Sequence, residues 1–111
     1  MSEVTYVKWA DMPQVDMLPG IRRRVLGGDK MMSVEVTLEK GAVVPEHNHP
    51  HEQISHVLAG KLDFTVGGQR KIVSAGEAVL IPSHAPHHVT ALEASVVVDV
   101  FSPPREDFLV K

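Results

Sequence analysis

Apolar and polar positions alternate with a period of two along most of the chain. Met32, Val34, Val36 and Leu38 alternate with Ser33, Glu35, Thr37 and Glu39, the pattern of a strand with one face on a core. Leu62, Phe64 and Val66 alternate with Lys61, Asp63 and Thr65, and Gly67-Gly68 then supplies a two-residue hairpin turn into a strand over Gln69 to Val73. Further extended runs are expected at about Val4 to Trp9, Ile54 to Ala59, Ala78 to Ile81, His87 to Ala91 and Ser95 to Phe101. Gly20, Gly27-Gly28, Gly41, Gly60 and Gly76 punctuate them. No segment keeps an apolar repeat of about 3.6 residues, so helix should be scarce. Many short strands with regular turn signals predict an all-β sandwich or barrel.

The length of 111 residues fits one domain spanning residues 1–111, able to bury about two thirds of its unfolded surface. No internal repeat, linker or low-complexity segment interrupts it. A formal net charge of -3 offers no basic field for nucleic acid. Arg22, Arg23 and Arg24 form the one basic run, which reads as an edge or solvated strand face. With no cysteine, disulfides, thiolate nucleophiles and cysteine-based zinc sites are excluded. The start MSEVTYVKWADMP carries acids and no apolar stretch, unlike a secretory signal, and no window is long enough to span a bilayer. A cytoplasmic protein without a membrane partner is the expectation.

The histidines change the picture. Six of the seven fall in two short windows. The first, Gly41 to Gly60, reads G-x5-H-x-H-x3-Q-x6-G and carries His47, His49 and Gln53; the second, Gly76 to His87, reads G-x5-P-x-H-x2-H and ends on His87. If the first window is extended, His47 and His49 point the same way, Gln53 completes one wall of a pocket, and His87 closes it. Three imidazoles and one amide oxygen can hold a divalent metal. His51 follows His49 at ligand-like spacing, but Pro50 intervenes. It is expected at the rim or behind the ligands, as are His56, His84 and His88.

These two windows resemble the paired motifs of the cupin family, small antiparallel jelly-roll β-barrels whose metal lies inside the barrel mouth. The family pattern commonly has Glu where this chain has Gln53, Gly where it has His84 and Asn where it has Ala91. An amide in place of a carboxylate leaves the bound metal its full positive charge. Zinc, nickel, manganese and iron all suit such ligands.

In the last strand Val97, Asp99 and Phe101 share one face, opposite Val96, Val98 and Val100. An acid on either apolar face is partly buried and needs a partner, which Arg105 or the metal zone would provide. From pattern alone Asp99 fits a structural acid paired with Arg105 as well as it fits a pocket group. HNHPHEQIS followed by VVVDVFSPPREDFL is similar to the KdgF group of cupins, pectin-degradation proteins that ketonise 4,5-unsaturated uronate monosaccharides. The likeness runs from Gly20 to Leu109. It implies an enzyme for a small anionic sugar from pectin or alginate breakdown. It further implies one divalent metal on His47, His49, Gln53 and His87, and a catalytic pocket lined by Asp99, Phe101 and Arg105. A metal-dependent cupin dioxygenase and a non-catalytic sugar- or metal-binding cupin are the other readings. A barrel this short exposes sheet edges, so a homodimer paired through the strand at Val4 to Trp9 is expected.

Overall fold

The computed structural model describes residues 3–109. After a 3-10 turn, Trp9–Asp11, the strands follow in order: β1 Val15–Leu18, β2 Ile21–Gly27, β3 Met32–Leu38, β4 Val43–His47 and β5 Glu52–Ala59. Then come β6 Lys61–Val66, β7 Gln69–Ser74, β8 Ala78–Ile81, β9 His87–Ala91 and β10 Ser95–Ser102, before a short α1, Glu106–Leu109. They form two antiparallel sheets, ordered β1-β2-β3-β10-β5-β8 and β4-β9-β6-β7. The ladders keep the two sheets separate, and the apolar faces meet between them as a jelly roll. No helix among the described residues is long and apolar enough to cross a membrane.

The alternation read from the sequence is the alternation of burial. Met32, Val34, Val36 and Leu38 of β3 are all buried, and their polar neighbours face outward. Leu62 and Phe64 bury from β6, and Gly67 and Gly68 both take positive φ, 54° and 81°, the conformation that a two-residue hairpin requires.

Sheet register sets up the site. Directly paired residues share a face, so the pairings define rows across the six-stranded sheet. One row runs Gly27, Met32, Phe101, Gln53, Ile81. The next, two residues along each strand, runs Val25, Val34, Asp99, Ser55, Val79. Gln53, Ser55, Asp99 and Phe101 thus point into the same interior from two adjacent strands.

Three local expectations change. Residues 3–8 form no strand, and Val4 and Tyr6 are exposed there, so they lack the buried face that would hold a strand in a sheet. The basic run lies on β2, which is flanked by β1 and β3 and is not a sheet edge. Arg22 and Arg24 do face outward, paired with Asp16 and Glu35, but Arg23 is on the opposite face. The extended segment ends at His47. The stretch 48–51 is a loop, so His49 reaches the site from a turn rather than from a strand.

A candidate metal centre and its cavity

His47 ends β4, an edge strand that contains Pro45 and a register shift between Val44 and His47. Proline lacks a ladder donor, which suits an edge position with a bulge. His47 pairs in register with His87, the first residue of β9. The loop carrying His49 is tied to the second motif by the His84 N–H, which donates to the His49 carbonyl at 2.8 Å. His84 makes that turn with φ 65°, the left-handed conformation that glycine adopts without strain. The ring centres lie 4.2 Å apart for His47 and His87, 5.0 Å for His49 and His87, and 5.6 Å for His47 and His49.

Each ring presents a bare nitrogen. Nδ1 of His47 faces the Pro45 carbonyl at 3.0 Å, Nδ1 of His49 the His51 carbonyl at 3.0 Å, and Nδ1 of His87 the Ala85 carbonyl at 2.8 Å. A carbonyl only accepts, so the proton of each neutral imidazole sits on Nδ1 and each Nε2 carries a lone pair. Burial holds His49 below the ordinary imidazole range, aided by the Arg105 charge. Burial pulls His87 down to about 4, so both rings are neutral near pH 7. His87 Nε2 is buried without a partner.

Gln53 completes the set. Its Nε2 donates to Ser55 Oγ at 3.0 Å, and Ser55 Oγ donates to Asp99 Oδ1 at 2.6 Å. That relay turns the amide oxygen toward His49 Nε2, 3.0 Å away. With the imidazole proton on Nδ1, these two acceptors stand at hydrogen-bond distance, and a cation between them would satisfy both. The nitrogens of His47, His49 and His87 lie within 4.8 Å of one another, a cluster able to hold a metal ion. The three imidazoles and the amide fit a divalent ion, and their Nδ1 to carbonyl bonds orient them as metal ligands are oriented.

The cluster opens on an interior cavity of about 60 Å³, lined by His47, Gln53, Ser55, His87, Asp99 and Phe101 among others. Asp99 is half-buried and lines that cavity. Desolvation pushes its carboxyl up to about 6, against the lowering pull of the Ser55 and Gln53 hydrogen bonds and the Arg105 charge. Arg105 does not pair with Asp99. Its Nη2 and Nε reach Asp107 at 2.9 and 3.3 Å, and its guanidinium stacks 5.2 Å from the Phe101 ring centre and 4.0 Å from that of Phe108.

Six of the seven expected site residues line that cavity, and His49 adjoins it through Gln53 and His87. His51 packs edge-on against His49 at 5.3 Å, while His88 lies 3.8 Å from Glu46. Sequence reasoning missed Ser55, Phe108 and Asp107. Ser55 was within reach, being two residues from Gln53 on one strand face. Phe108 and Asp107 depend on the turn of α1, which carries no periodic signal.

Residues 34–101 match the Cupin domain family, and the match includes all four candidate ligands. The chain belongs to the cupin family. Within the cupins it is 36% identical over 102 residues to the pectin degradation protein KdgF of Dickeya dadantii (strain 3937), across 89% of this chain and 93% of that protein. The solved structure of KdgF from Halomonas sp. superposes with a TM-score of 0.92 at 33% identity, covering 96% of this chain and 99% of that one. An RmlC-like cupin from Shewanella frigidimarina NCIMB 400 superposes at 0.91 with 30% identity, covering 96% of each chain.

Proposed function

We propose that this cupin converts 4,5-unsaturated uronate monosaccharides, released in pectin or alginate breakdown, to their linear keto forms. The observation that carries the reading is the relay from Gln53 through Ser55 to Asp99, which joins a neutral ligand set to a buried carboxyl in one cavity. The likeness to KdgF supplies the substrate class.

His47, His49, Gln53 and His87 hold one divalent metal. Bound there, the ion supplies undiminished positive charge that attracts and polarises an anionic sugar. Asp99 moves the proton. With its carboxyl raised to about 6, it stands close enough to neutral pH to give a proton and take one back. The acid form delivers a proton to C4 of the C4=C5 double bond while a water oxygen bonds to C5. The carboxylate then accepts the proton that this water releases. The resulting hemiketal collapses as its C5 hydroxyl gives up a proton, the bond between C5 and the ring oxygen breaks and that oxygen takes a proton, leaving a ketone at C5 and a hydrated aldehyde at C1. Phe101 gives the sugar a flat wall, and Arg105, held by Asp107, binds the substrate beside it. The buried apolar lining, Ile21, Leu62 and Ile81 among it, limits competing water.

The same proposal includes a homodimer. Val4 and Tyr6, 81% and 93% exposed, and the outward residues Ile54, Leu58 and Leu80 offer apolar surface for a second copy. Light scattering at micromolar protein should give twice the chain mass, and a monomer mass removes the dimer.

The test of function is incubation of metal-loaded protein with an unsaturated monouronate. Loss of the conjugated double bond with appearance of the keto product by NMR is the expected result. Oxygen uptake during turnover would favour the dioxygenase reading instead.

A further inference from the structure

Arg23 is the middle residue of the basic run, and it sits on the cavity face of β2. Its ladder neighbour is Val36 on β3, whose other neighbour is Val97 on β10. Val36 and Val97 line the cavity, as does Ile21 two residues before Arg23. The flanking arginines each have an acid, since Arg22 Nε lies 3.1 Å from Asp16 and Arg24 Nη1 2.7 Å from Glu35. Among the described residues Arg23 has none.

Its guanidinium carbon stands 4.4 Å from the centre of the Phe108 ring, a wall of the cavity, and its Nε is buried with no hydrogen-bond partner. A buried donor on a cation is costly to leave unsatisfied, and an orphan of this kind marks a guanidinium whose hydrogen bonds the described chain does not meet. The second cation on the same ring is Arg105, at 4.0 Å, and it is already held by Asp107 through two bonds of 2.9 and 3.3 Å. The uncompensated positive charge against Phe108 therefore belongs to Arg23. A guanidinium stacked on an aromatic face keeps its N–H edges free, and those edges match a carboxylate as a two-pronged fork.

Resting on the reading of the substrate as an uronate, we infer that Arg23 is the residue that recognises its carboxylate. Arg105 then contacts the sugar with its charge largely committed to Asp107. Arg23 selects the acid over neutral sugars, and it touches no reacting atom.

Calorimetric titration of metal-loaded parent, Arg23→Met and Arg23→Lys proteins with galacturonate and with its methyl ester tests this. The methionine variant keeps an apolar stem against Phe108. The parent should bind the acid at least about tenfold more tightly than the ester, as expected for a charge-assisted fork. Arg23→Met should cut the advantage of the acid over the ester by at least about threefold by weakening only the acid, with Arg23→Lys between them. A preference left undiminished by Arg23→Met, a parent that binds acid and ester alike, or a variant that weakens both equally overturns the assignment. Turnover of an unsaturated monouronate by the same parent preparation tests the enzymatic reading separately. Acid-selective binding without turnover would sink that reading and leave the anion site standing.

Discussion

His49 Nε2 and Gln53 Oε1 face each other at 3.0 Å as two acceptors, because the His51 carbonyl holds the imidazole proton on Nδ1 and Ser55 holds the amide by its NH2 end. Such a contact is repulsive in an empty site and favourable around a cation. A metal held between them would therefore be linked to folding.

Protein purified without chelator should carry close to one divalent metal per chain, and elemental analysis checks it. His47→Ala with His49→Ala should abolish binding, and full occupancy of that double variant would remove the ligand assignment. Removing the metal from the parent should lower its melting temperature, since an ion at about a hundred times its dissociation constant stabilises by roughly 2.7 kcal/mol.

Asp99 makes the metal-free protein pH-sensitive. Its folded pKa is raised from 3.8 to about 6. Its stabilising contribution is thus complete below the unfolded value and is lost as pH rises through about 6. In chelator, Asp99→Asn should melt above the parent at pH 8 by an amount on the order of 2 to 3 kcal/mol, and the gap should close at pH 4. Equal melting temperatures at pH 8 would show that the carboxylate is not desolvated.

Ser55→Ala breaks the relay at its centre, removing the hydroxyl that accepts from the Gln53 amide and donates to the Asp99 carboxyl. A loss of about 1 to 3 kcal/mol in stability is expected, together with weaker metal binding because the amide is free to turn. Unchanged metal affinity by competition with a chelator would show that Ser55 does not orient Gln53.

Gly60, which closes the first motif, has φ 90°, and a Cβ there would run into Ser95 Oγ and the Ala94 carbonyl. Gly60→Ala should therefore destabilise by more than about 1 kcal/mol, visible as a melting temperature lowered by roughly 5 °C or more. An unchanged melting curve would mean that the β10 entry yields easily.

The central strands were readable because one buried face imposes strict alternation, as in Met32 to Leu38 and in the Leu62 to Val66 hairpin. The ligand set was readable because spacing along two motifs carries it. β1 was not, and β2 and β4 were legible only as an arginine-bearing strand face and a conditionally extended motif, since Pro45 masks an edge strand and three successive arginines hide the fact that the middle one turns inward. The partner of Arg105 was missed for another reason. Asp107 is only two residues along the chain, but whether it or Asp99 takes the guanidinium depends on how α1 turns back over Phe101. Tyr6 alternates like a strand residue, yet at 93% exposure nothing packs on it within the described chain.

The most direct measurement follows the near-ultraviolet absorbance of an unsaturated monouronate with metal-loaded parent and metal-loaded Asp99→Asn side by side. The expected result is rapid loss with the parent and a rate at least about a hundredfold lower with Asp99→Asn at equal metal content, the low end of what a positioned acid or base contributes. A parent no faster than buffer, or an Asp99→Asn protein at the parent rate, would contradict it.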